Sequence, residues 1–244
     1  MLFFNRNKTI LQDIIPDNHI DIHSHLLPGI DDGSKSIEDS IFLISELKKM
    51  GINNFITTPH IFSGVWDNTK IKIQETEIEA NLKLKNTSGD TILKAAAEYL
   101  LDDHFVNLFQ KGEILTLKDN YVLVEMSYLN APIQLYDIIF DMQVAGYIPV
   151  LAHPERYLFY HKNFNEYSKL KNAGCKFQIN LLSTVGYYGN DVLETAKLLL
   201  SKGLIDFVGS DVHHKKHIDA FGSKILLKDL LPLKESILNN QFFK

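Results

Sequence analysis

Ten histidines occur in the 244-residue chain, and they cluster with acids rather than scattering. Asp21-Ile22-His23-Ser24-His25, Thr58-Pro59-His60, Glu98, Glu125, His153-Pro154-Glu155-Arg156 and Ser210-Asp211-Val212-His213 are the segments whose residue types could do chemistry. Imidazole and carboxylate donors without a thiolate suit Zn, Mn or Fe at sites that keep open coordination positions. They outnumber what one ion can use, which points to a multinuclear centre. Each piece has a plainer reading. An H-x-H is often two ordinary surface or core histidines, a lone Glu at a strand end is usually a solvated rim residue, and His60 or Asp211 could cap a turn. Only their joint placement argues for a metal centre.

That placement depends on the elements between them. Short β-rich runs alternate with helical stretches. Strands are expected over 19–23, 54–58, 91–97, 121–126, 147–152, 176–181 and 206–209. Helices are expected over 36–50, 69–84, 132–145, 165–173 and 191–201, with a last one near 224–231. The first helix carries Ile37, Ile41, Ile44 and Leu47 on one face and ends at Gly51. Strands alternating with crossover helices imply a parallel α/β sheet, and seven such units suggest a barrel-like closure, an open doubly wound sheet being the alternative. Six of the seven expected strand ends carry a metal-type side chain. Parallel barrels build their sites at those ends, so the groups would converge on one mouth.

Composition narrows the function classes. The chain is 45% hydrophobic and 23% charged, as in ordinary globular proteins, with net charge −5 and no basic stripe. Nucleic acid is therefore not expected as a partner. No apolar run reaches the roughly 20 residues of a membrane span, and residues 1–15 do not read as a secretory signal. A cytoplasmic protein is the expectation. The lone Cys175 excludes a disulfide framework. A cysteine phosphatase would need an Arg six positions after its Cys, where this chain has Leu181, and no phosphate-binding P-loop motif is present. Only Arg6 and Arg156 break the preference for Lys, so Arg156, beside His153, is a candidate bidentate phosphate donor. Its plainer role is an ion pair with Glu155 or another rim acid. Residues 1–18, with Leu2, Phe3, Phe4, Ile10, Leu11, Ile14 and Ile15, are too apolar for a free tail and should pack on the barrel or a neighbouring subunit, ahead of a single domain over 19–244.

The segments D-I-H-S-H-x-L-P-G-I-D-D-G-S-K-S, T-T-P-H, A-A-E-Y, L-V-E, A-H-P-E-R and G-S-D-V-H resemble the polymerase and histidinol phosphatase (PHP) superfamily. More narrowly, they resemble its bacterial tyrosine-protein phosphatase branch, found with capsule and exopolysaccharide genes. The likeness runs from about Asp21 to His213. It implies a distorted (β/α)7 TIM-like barrel with two or three divalent ions, Mn foremost, Fe or Zn as alternatives. It further implies a first metal on His23, His25, Glu98 and Asp211, a second on Glu98, Glu125 and His153, and a third on Asp32, His60 and His213. Asp31, adjacent and chemically identical, competes with Asp32. Arg156, His60 and Asp211 would be catalytic. A second family Arg is replaced here by His214-Lys215-Lys216-His217, so its phosphate contact passes to Lys215 or Lys216 or is missing.

The implied reaction is hydrolysis of phosphotyrosine on a protein, with a bacterial tyrosine kinase of polysaccharide assembly as the implied partner. A small-molecule phosphomonoesterase such as a histidinol phosphatase is one alternative. A non-catalytic kinase-binding module is another, although none of the ligand positions is apolar. The segment from Phe62 to Asn68, with Trp66, could act as a lid or as part of a specificity pocket, and a homo-oligomer is possible.

Overall fold

The computed structural model describes residues 9–85 and 91–244. Its strands fall on the β-rich runs of the sequence: β1 His19–Asp21, β2 Ile52–Thr57, β3 His60–Ile61, β4 Leu93–Ala95, β5 Glu98–Leu100, β6 Tyr121–Glu125, β7 Ile148–Ala152, β8 Lys176–Asn180 and β9 Phe207–Gly209. Every pairing is parallel, in the orders β1-β2-β4 and β3-β5-β6-β7-β8-β9. The two sheets are one layer interrupted twice. Thr57 pairs with Ala95 and His60 with Glu98, so the register is unchanged across the gap, and Ala96 N–H and Glu98 N–H donate to Thr57 O and Pro59 O within it. Pro59 has no N–H for the ladder, which accounts for the break. Beyond the strand ends, Asp211 N–H donates to His23 O (2.8 Å) and His25 N–H to Val212 O (3.0 Å), bringing the β1 edge against the β9 edge. The result is a distorted (β/α)7 barrel.

Helices α1 Ile37–Lys49, α2 Lys70–Lys85, α3 Asp103–Gln110, α4 Leu135–Val144, α5 Asn165–Asn172 and α6 Asn190–Ser201 connect successive strands, and α7 Lys215–Ala220 and α8 Leu231–Asn239 follow β9. In α1, Ser36 Oγ caps the start by accepting from Asp39 N, and Ser40, Leu43, Ile44 and Leu47 form the buried face at helical spacing. Burying each Leu or Ile there contributes about 1.5–3 kcal/mol.

Three expectations need correction. The strand expected over 91–97 is split, and Glu98 and His60 begin second segments rather than ending first ones. Helix α3 was not expected, although Asp102 caps it by accepting from Phe105 N and Phe105 and Phe109 bury one face. Residues 224–230 are not helical: Ile225 N–H donates to Thr9 O and Leu226 N–H to Thr184 O, so these backbone groups serve other segments. The helix begins instead at Leu231, where Pro232 fits the first turn.

Inside the barrel, Ile20, Ile22, Ile56, Ala96, Leu123, Val150, Ala152 and Phe207 form a core. Phe243 closes its floor against Phe207 and Tyr121, with ring centroids 4.9 and 5.6 Å away. A larger core lies between strands and helices and includes Leu11 and Ile15. Leu11 N–H donates to Ser223 O and Gln12 N–H to Phe221 O, so this part of the N-terminal extension packs on its own chain. Leu2, Phe3 and Phe4 lie outside the described residues.

Candidate metal centre

The side-chain period that builds the inner core also builds the site. Two residues beyond inward-facing Ala96 and Leu123 come Glu98 and Glu125, and four beyond Ile56 comes His60, on the same face of their strands. The apolar residues lie toward the base of the barrel and the chemically active ones toward its mouth. His153 and Asp211 depart from extended backbone altogether, with φ of +34° and +51°. Left-handed geometry in a non-glycine residue costs about 1–3 kcal/mol and concentrates at functional sites.

Glu98 is fully buried at the centre. Its Oε2 lies 3.1 Å from His23 Nε2, 3.4 Å from His25 Nε2 and 3.3 Å from His60 Nδ1, and its Oε1 lies 3.0 Å from His153 Nε2. Glu125 Oε1 is 3.0 Å from His60 Nδ1. Asp211 Oδ1 is 3.5 Å from both His23 Nε2 and His25 Nε2. Asp32 Oδ1 faces His60 Nε2 at 3.6 Å and His213 Nε2 at 3.5 Å. Burial works against the charge on Glu98, yet the imidazoles of His23 and His60 hold its carboxyl well below the usual range. For His60 burial is outweighed by Glu98 and Glu125, and its pKa goes up to about 9.

Among the described residues, four sets of donor atoms lie mutually within 4.8 Å: His25/Asp32/His60/His213, His23/Glu98/His153, His23/His25/Asp211 and His60/Glu98/Glu125. All nine expected ligand residues are among them, with His23, His25, His60 and Glu98 shared between sets. The geometry also separates Asp32 from Asp31. Asp31 is buried behind the centre, where its Oδ2 accepts from His25 Nδ1 at 2.7 Å and from His60 N. His23 Nδ1 likewise meets Gln178 Oε1 at 2.7 Å, the amide being oriented by its own donation to Asn180 Oδ1. With the outer nitrogens committed to acceptors, Nε2 of His23 and of His25 is left as a lone-pair donor toward the centre, the arrangement that orients metal-ligating histidines. The donor set therefore fits divalent ions.

Two glycines allow this approach. A Cβ on Gly33 would stand 2.2 Å from His25 O and 2.4 Å from His25 Cβ, and one on Gly209 would stand 2.6 Å from His23 Cβ. Gly33→Ala should therefore displace His25, because the obstructing atom is backbone and no rotamer change relieves it. Over-packing of this kind costs about 1–3 kcal/mol, and 1 kcal/mol shifts a protein of this size by roughly 2–4 °C. A melting curve lowered by several degrees, together with loss of bound metal, is the expected result; an unchanged melt and metal content would show that the segment gives way freely.

A cavity of about 250 Å³ opens above the centre. Asp32, His60, Glu98, His153, Asp211 and His213 line it, and Arg156 forms part of its wall. His23, His25 and Glu125 sit behind that wall. Arg156 does not pair with Glu155, whose Oε1 accepts from Asn180 N and Ser183 Oγ; its Nη1 donates to Asp211 Oδ2 at 3.0 Å. Lys215 and Lys216 are exposed at the start of α7 and are absent from the lining, where His214 and His217 stand instead. Sequence reasoning also missed Gln178, Asn180, Tyr128 and Tyr188. The first two sit at alternate positions at the C-terminal end of β8 and were legible there; the tyrosines carry no local signal.

Cys175 is buried away from the cavity, and burial pushes its thiol up to about 12. Alkylation under native conditions should leave it unmodified and turnover unchanged, checked by mass of the intact chain beside a rate measurement. A loss of activity matched to modification of Cys175 would contradict this.

Comparisons with known proteins identify the family. Residues 19–219 match the family model described as "Capsular polysaccharide synthesis, CpsB/CapC". The tyrosine-protein phosphatase YwqE of Bacillus subtilis (strain 168) is 32% identical over 198 residues, covering 81% of this chain and 78% of that protein. The tyrosine-protein phosphatase CpsB of Streptococcus pneumoniae is 30% identical over 201 residues, covering 80% and 83%. A solved structure from work on YwqE and CpsB, described as unique metal-dependent tyrosine phosphatases, superposes with a TM-score of 0.77 at 29% identity, over 92% of this chain and 88% of its own. A zinc-bound amidohydrolase from Burkhoderia ambifaria, 11% identical with a TM-score of 0.52, shares the fold alone. By its sequence over nearly the whole barrel, this chain belongs to the CpsB/CapC family of capsular polysaccharide synthesis.

Proposed function

We propose that this chain is a metal-dependent tyrosine-protein phosphatase, and that its substrate is a phosphotyrosine protein of capsule or exopolysaccharide synthesis, namely a bacterial tyrosine kinase. The observation that carries this is Glu98, buried among four imidazoles, beneath a cavity whose wall includes Arg156. His23, His25, Glu98 and Asp211 would hold one ion, Glu98, Glu125 and His153 a second, and Asp32, His60 and His213 a third. Mn is the first choice, with Fe or Zn as alternatives for an O/N donor set. Bound ions supply Lewis acidity toward phosphoryl oxygens and lower the pKa of water.

The remaining work falls to this chain's own residues. Arg156 meets the non-bridging oxygens of the phosphate, and Asp211, held by Asn180 Nδ2 at 2.6 Å, sets the direction of its guanidinium. Asp31 and Gln178 keep the His25 and His23 rings fixed. A tyrosyl oxygen leaves with a pKa of about 10, so protonation of the leaving group is less demanding than for an alkyl ester.

A protein substrate is favoured over a small one by the rim. Leu129, Ile133 and Leu158 are 86%, 99% and 59% exposed, in the segments after β6 and β7 that also carry Tyr128 and Arg156. Exposed apolar side chains in these loops suit residues flanking a phosphotyrosine better than they suit a polar metabolite. With Mn added, kcat/KM on a phosphotyrosine peptide should exceed that on histidinol phosphate by about 10²-fold or more, the scale that specific contacts provide. A chelator should abolish turnover on both. Faster turnover of histidinol phosphate would overturn the assignment to protein substrates, and full activity after exhaustive chelation would overturn the metal mechanism.

A further inference from the structure

Arg156 is held by more than its ion pair. Its guanidinium carbon lies 4.3 Å from the ring centroid of Tyr188 and 4.9 Å from that of Tyr128. Both tyrosines line the same cavity, and each is anchored in turn. Tyr128 stacks on His153 at 5.8 Å and packs against Tyr157 at 6.0 Å. Tyr188 meets Tyr187, and its hydroxyl is shielded beside Asn180, the residue that holds Asp211, without a hydrogen bond of ordinary geometry. Among the described residues, the bond from Nη1 to Asp211 is the one hydrogen bond the Arg156 guanidinium makes. Its other N–H groups remain free for a ligand, since a guanidinium has five donors in a planar fork.

We infer that Tyr128 and Tyr188 are positioning residues, whose rings hold the Arg156 guanidinium in a preset clamp for the phosphoryl group. The inference rests on the phosphatase reading for its ligand and goes beyond it in naming what orients the donor. An unrestrained Arg would lose rotamer freedom each time phosphate bound, whereas a stacked one has lost it on folding. The rings supply this by cation–π contact, so the ring matters and the hydroxyl does not.

The test uses the full chain loaded with Mn and reads two quantities, the affinity for inorganic phosphate by titration calorimetry and kcat and KM on a phosphotyrosine peptide. Tyr188→Phe keeps the ring and should stay within about twofold of the parent. Tyr188→Leu should weaken phosphate binding and lower kcat/KM by about tenfold, the scale of a desolvated cation–π contact. Arg156→Ala supplies the decisive background, where adding Tyr188→Leu should change either quantity by less than about twofold because the residue it positions is gone. Tyr128→Leu is carried through the same cycle, so that a melt showing one leucine variant unfolded still leaves a result.

A full tenfold effect of the leucine change in the Arg156→Ala background would overturn the inference. So would parental behaviour of both leucine variants, or equal losses in Tyr188→Phe and Tyr188→Leu. If the peptide is not turned over but phosphate titration shows the predicted non-additivity, the clamp stands and the substrate assignment is the part that fails.

Discussion

Glu98→Gln is expected to leave a folded protein that loses the ions sharing this ligand, holding about one divalent ion per chain or fewer, and turns over at least about a thousandfold more slowly, equivalent to roughly 4 kcal/mol in the barrier. The reason is the position of this carboxylate. Its oxygens lie within 3.4 Å of His23, His25, His60 and His153, and it belongs to two of the four donor sets. An amide fills the same volume, but it carries no charge and presents an N–H where an acceptor stood. The imidazoles then face each other without the anion that compensates them, and ions lose a shared ligand. Removing one partner from a buried ionic cluster is also destabilising, so the melt should fall while remaining cooperative. Elemental analysis of gently purified protein, run beside circular dichroism and turnover, separates the outcomes. Two or more ions per chain with parental turnover would remove Glu98 from the centre; a lost fold would call for Glu98→Asp, which keeps the charge and withdraws it by one methylene.

Arg156→Lys should lower turnover by roughly 10²–10³, or about 3–4 kcal/mol, by analogy with removal of a single oxyanion-stabilising donor. Charge spreads over the equatorial oxygens of a phosphoryl group as its bond to the leaving oxygen breaks, and a forked donor meets two of them at once. Lysine keeps the charge and loses the plane, the fork and the fit between Tyr128 and Tyr188. Metal content should not change, since a guanidinium is not a ligand. Lys215 and Lys216, exposed at the start of α7, give no reason to expect compensation, so the triple variant with both changed to Ala should match the single one within about threefold. Retained turnover in both variants would reduce Arg156 to a partner of Asp211 and nothing more.

The backbone period explains why so much of the centre was legible in the chain alone. In a strand, residues two apart share a face, so an inward Ile56, Ala96 or Leu123 carries His60, Glu98 or Glu125 to the same interior. Parallel order then gathers those ends at one mouth, and seven strands with every crossover helix but α3 follow from the alternation of β-rich and helical runs. No local pattern decides what happens past the strand ends. Asp31 and Asp32 are identical as chemistry. Only the close approach of Gly33 to His25, across a turn that the rest of the barrel must hold, sends one carboxylate behind the imidazole and the other toward His60 and His213. The left-handed backbone at His153 and Asp211 redirects two side chains in a way that alternation cannot supply. The rings on either side of Arg156 come from the segments after β6 and β8, while Arg156 follows β7, and residues 224–230 give up a helix because Thr9 and Thr184 take their N–H groups. Ligand types and their shared face are local properties of the chain, set by one strand's geometry. Which neighbour each donor meets depends on atoms brought together from distant segments, and only packing of the whole barrel decides it.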